Sequence, residues 1–141
     1  MANVTTAHVI PVQATSRGLH LGLWATQVLL AGVFLMAGGM KLTAPVETLQ
    51  QQMAWVGGAM GPAVRVIGLV EVLGALGLLL PAATRILPGL TPLAAAGLAT
   101  VMVLATLTHI TRGELGMVPV TLILGGLAAF VAWGRGVEVR R

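Results

Sequence analysis

Four long apolar runs, separated by short polar or Gly/Pro-rich joins, decide most of what this 141-residue chain can become. They cover about Leu21–Met40, Val64–Leu80, Pro92–Ile110 and Leu115–Trp133. A helix that crosses a bilayer needs about 17–25 apolar residues, and each run meets that length. A core helix of a water-soluble domain is shorter and apolar on one face, whereas these runs are apolar all round. Composition agrees. Charged residues make up 9 % of the chain, against roughly a quarter in a soluble domain. That is too little polar surface to coat a globule in water, and too much hydrophobicity for a disordered chain. Inside lipid every backbone polar group must be paired within its own segment, so the runs must be helices. The expected fold is all-α: a polytopic membrane four-helix bundle.

The joins carry the next level of organisation. Residues 1–18 read as a flexible tail, 19–134 as the transmembrane domain, and 135–141 as a basic tail. A cleaved leader is not expected, because the first run is too long for a signal core. Glycines inside the spans (Gly38, Gly39, Gly68, Gly74, Gly77, Gly125, Gly126) allow close helix packing. Pro81 is expected to stop the second span. Pro88, Gly89 and Pro92 mark a turn into the third, and Arg112-Gly113-Glu114 a short polar turn that makes spans three and four a hairpin. Between spans one and two, Val46, Leu49, Met53 and Val56 recur at helical spacing. That pattern predicts a short interfacial amphipathic helix with Trp55 at headgroup depth, the alternative being a plain surface loop.

The chain has a net charge of +4 and no cysteine. Without cysteine there is no disulfide, no thiol nucleophile and no Cys-ligated iron–sulfur or zinc site. The basic residues are scattered singly and form no phosphate-tracking stripe, so nucleic acid is not an expected partner. They read instead as topogenic charges. Arg17, Arg85, Arg135, Arg140 and Arg141 fall on the side of the termini, and Lys41, Arg65 and Arg112 on the other. The asymmetry places both termini in the cytoplasm. The methionines form no cluster at fixed spacing and read as packing residues.

Glu71 is the charged residue that lies well inside a span. A carboxylate at that depth is costly unless paired or protonated, and by default it marks a function. Its helical face holds Gly68, Gly74, Ala75 and Leu78, so it should face the bundle interior. Lys41 ends the first span, and His109 the third, on the non-cytoplasmic side. Glu71, Lys41 and His109 are therefore expected to converge on a polar pocket, with Gln27, Arg65, Arg112 and Trp55 as rim or secondary residues. The competing reading is structural: Glu71 simply ties helices together. A bis-histidine haem is excluded by depth, since His20 and His109 lie near opposite ends of a hydrocarbon core roughly 30 Å thick. No nucleotide-binding, zinc-protease or nucleophile-elbow motif is present.

Three segments, AGVFLMAGGMKL (Ala31–Leu42), RVIGLVEVLGALGLLLPA (Arg65–Ala82) and LTPLAAAGLATVMVLATLTHITRGE (Leu90–Glu114), follow one another in order, before an apolar fourth span. In that order they resemble the DoxX-like family of small four-helix membrane proteins, over residues 20–134. The resemblance implies location in the inner (cell) membrane and no settled activity of its own. Some relatives serve thiosulfate:quinone oxidoreductase or other membrane redox complexes. More distant ones act in membrane-protein assembly. The expected role is thus an accessory or quinone-facing subunit of a membrane redox system. The alternatives are a non-catalytic assembly protein that docks other membrane helices and, less well supported, a small-molecule transporter. A quinone is the candidate cofactor. The expected partners are the lipid bilayer, membrane redox proteins and a second copy of the chain.

Overall fold

A computed structural model describes residues 17–57 and 60–140; the expected N-terminal tail falls almost wholly outside them. The chain forms five α-helices: α1 (Arg17–Thr43), α2 (Val46–Gln52), α3 (Gly61–Thr84), α4 (Leu90–Thr111) and α5 (Val118–Val139). Four of these are long and apolar enough to cross a membrane. They pack as a ring in which α1 meets α3, α3 meets α4, α4 meets α5, and α5 returns to α1. No strand occurs among the described residues.

Burial follows the helical period. Each long helix turns one stripe inward, and together these build a core of Leu30, Ala31, Phe34, Ala75, Leu78, Ala95, Leu98, Met102, Ala128 and Val131. The outward faces are also apolar: Leu21, Met36, Val66, Leu93, Leu122 and Ile123 are all exposed. A soluble bundle would carry charges there; a membrane bundle meets lipid tails. Lipid is as apolar as leucine, so close packing must hold the helices together. The tightest crossing joins α1 to α3. A Cβ on Gly38 would sit 2.7 Å from the carbonyl oxygen of Gly68, and one on Gly68 would sit 2.8 Å from Cβ of Lys41. Only hydrogen fits between these backbones.

The connections match the expected turns with two adjustments. Pro81 does not stop α3, which runs on to Thr84. Proline removes one N–H and crowds the preceding turn, and in a membrane bundle neighbouring side chains can supply the missing donor to that turn. The carbonyl that loses its helical donor is that of Gly77; Gln27 Nε2 donates to the next one, of Leu78, in the same turn. Arg85, in the left-handed conformation (φ 59°), then closes the helix. Second, residues 135–139, expected in the basic tail, continue α5. The α4–α5 hairpin turns through Gly113 at φ 72°, a conformation that favours glycine. The helix expected between spans one and two is α2, followed by a 3-10 turn over Ala54–Val56. Its apolar side packs on protein: Leu49 and Val56 are fully buried with Val64 of α3, and Val46, Met53 and Trp55 pack around them.

Candidate functional site

Two polar clusters lie inside this apolar bundle, one at each end. The first is at the α2 end. Glu71 faces inward from α3 and is 2 % exposed. Lys41, in the last turn of α1, reaches it across the Gly38–Gly68 crossing. Its Nζ donates to both carboxylate oxygens, at 2.7 Å to Oε1 and 2.6 Å to Oε2. The glycine contact and the ion pair are consequences of one another: without a Cβ at residue 68 the helices come close enough for a lysine stem to span the gap. Six residues before Glu71, near the start of α3, Arg65 donates to the carbonyls of Lys41 and Ala44. Those carbonyls belong to the end of α1, where no backbone donor remains. Arg65 thus caps the helix that carries Lys41.

His109 does not join this pair. Its Nδ1 lies 2.7 Å from Oε2 of Glu114, whose Oε1 accepts from Arg112 Nε at 2.9 Å. The hydrogen bond from Arg112, and then that from His109, hold the Glu114 carboxyl below its ordinary value. Among the described residues no hydrogen bond or ion pair links His109 to Lys41 or Glu71. Trp55 is half-buried in the α2 cluster, over the start of α3.

The second cluster is at the opposite end, where α1 begins and α5 finishes. Gln27 is fully buried there and ties three helices together. It donates to Leu78 of α3 and accepts from Arg135 Nε of α5 at 2.6 Å. Arg135 is 7 % exposed. Its Nη1 donates to Glu138 Oε2 at 2.6 Å, and its guanidinium lies 5.1 Å from the centre of the Trp24 ring. The other carboxylate oxygen of Glu138 lies 3.4 Å from His20 Nδ1. A cavity of about 460 Å³ opens beside these groups. Arg135 carries no motif: a cation two residues past the expected end of a span reads as a topogenic charge. The signal that could have exposed it is the i,i+3 pairing with Glu138 on a continuing helix.

Chemically, the first cluster is a closed ion pair, its ammonium bonded to both oxygens of one carboxylate. No group of three or more metal-ligating side chains occurs among the described residues. Four lipid-length helices, apolar without and carrying buried charge within, define a small multi-pass membrane protein. The chain belongs to the DoxX-like family, whose model matches residues 25–131. No curated protein and no solved structure matches it significantly.

Proposed function

We propose that this protein is an accessory, quinone-facing subunit of a membrane redox system in the inner membrane, with its termini in the cytoplasm. The observation that carries the reading is the Lys41–Glu71 pair, buried at hydrogen-bond distance inside membrane-spanning helices. Two charges taken out of water repay their desolvation only in good geometry, and a hydrophobic pair of equal volume would often be as stable. An ionisable pair at membrane depth is by default a pathway element. A proton can shift along this hydrogen bond, from ammonium to carboxylate, without changing the net charge of the pair. Lys41 is the more exposed partner, its side chain at 13 % against 3 % for Glu71. It is therefore the group that a quinone headgroup entering from the rim would meet. A quinone bound there would supply the electron-accepting chemistry; Lys41 Nζ would be the donor facing its oxygen, and Glu71 would hold the lysine in place. The redox setting rests on the family resemblance.

The test is Glu71→Gln, measured in native membranes as quinone-dependent turnover of the partner complex. The amide keeps the shape and removes the charge. Turnover is expected to fall at least tenfold while the protein inserts in normal amount. Unchanged turnover contradicts the reading and favours the assembly alternative.

A further inference from the structure

We propose that the cavity between the start of α1 and the ends of α3 and α5 binds a phosphate group. Two buried donors point to a ligand. Arg135 has its Nε on Gln27 and its Nη1 on Glu138, yet Nη2, equally buried, has no hydrogen-bond partner among the described residues. Thr91 is 1 % exposed, and its Oγ1 is also unpartnered. Other threonines in these helices show why this is unusual. Thr26, Thr84, Thr100, Thr106 and Thr108 each donate to the carbonyl four residues earlier. Thr91 sits in the first turn of α4, where the helix has not yet supplied such a carbonyl. Buried donors are nearly always satisfied, so two orphans on residues that line one cavity call for an acceptor.

The wall includes His20, Trp24, Arg85, Thr91, Arg135 and Glu138 beside prolines and small apolar residues. Arg85 and Arg135 against Glu138 make the wall at least singly positive, which suits a negative charge on the ligand. Both oxygens of Glu138 are already engaged, with Arg135 and His20. Each two-nitrogen fork of Arg135 already has one nitrogen engaged, so neither offers a carboxylate two free parallel donors. What remains is a single nitrogen and a hydroxyl on separate helices, two donors that a phosphate, with its several acceptor oxygens, can serve together. The cavity lies where span ends meet headgroups, so the phosphate can belong to a phospholipid or to a small soluble anion.

The test uses the delipidated full chain in a nonionic, phosphate-free detergent, followed by phosphorus NMR. One arm titrates inorganic phosphate; the other titrates dihexanoylphosphatidylglycerol below its micelle concentration. Saturable one-to-one binding is expected, and the arm that saturates identifies the source. Thr91→Val removes a hydroxyl that bonds nothing in the protein, so it should fold normally and weaken binding about tenfold, the loss of one charge-assisted hydrogen bond. Arg135→Met should abolish binding. No saturation in either arm overturns the proposal, as does a Thr91→Val protein that binds like the wild type.

Discussion

Lys41 and Arg135 sit at opposite ends of the same bundle, each among apolar side chains and each beside a carboxylate. Their partnerships differ. Lys41 gives two hydrogen bonds to Glu71, and its helix end is capped by Arg65. Arg135 divides its donors between Gln27 and Glu138, and one nitrogen is left over. A compact ammonium on a flexible stem can be neutralised by a single carboxylate. A guanidinium presents five N–H groups in a fixed plane, and one carboxylate cannot meet them all. The α2 end therefore holds a cation whose donors meet one carboxylate, whereas the other end holds a cation with a donor to spare.

The largest way to break this comparison is to remove one member of the closed pair. Glu71→Leu leaves a buried ammonium unpaired and should cost about 3–5 kcal/mol of stability in detergent, as unfolding midpoints would show. The double variant Lys41→Met with Glu71→Leu should recover most of that loss; a double variant as unstable as the single one would mean that the pair is not the interaction at stake. Next comes Gly68→Ala. Its methyl would press on Lys41 Cβ and the Gly38 carbonyl, and should cost about 1–3 kcal/mol by overpacking. At the open end the sign reverses. Thr91→Val deletes an unsatisfied hydroxyl and should stabilise the ligand-free protein by about 1 kcal/mol. Loss of stability there would show that Oγ1 has a partner.

The smallest effect concerns Glu114. Its carboxyl lies below its ordinary value because Arg112 and His109 bond to it. The contribution of these bonds is therefore complete above the ordinary carboxylate value and lost as pH falls through the lowered one. Hydrogen exchange at the 112–117 turn should quicken on that acid limb in the wild type. Glu114→Gln should show no such pH dependence.

How far these sites can be read from sequence depends on how local their signals are. Length and hydropathy are local, so all four spans and the α2 face were legible, with ends shifted by a few residues. Glu71 was legible because one charge stands alone in an apolar run, and Lys41 because it closes the neighbouring span at compatible depth. His109 was harder. Its partner Glu114 lies five positions away, but only a turn through Gly113 at positive φ folds that carboxylate back. Arg135 was hidden altogether. It meets Gln27 across 108 positions, and hydropathy ends the fourth span before reaching it. Gln27 itself belongs with Arg135 and not with Lys41, from which it lies roughly 21 Å along α1 at 1.5 Å per residue.

The contrast between the ends is tested most directly by the phosphate-probe isotherm, measured in parallel on the wild type, Thr91→Val and Arg112→Gln. The last of these removes an exposed cation at the α2 end. Binding should weaken about tenfold in Thr91→Val, the loss of one hydrogen bond to an anion, and stay unchanged in Arg112→Gln. Equal weakening in both variants, or in neither, would contradict the assignment of the open donor to the Arg135 end.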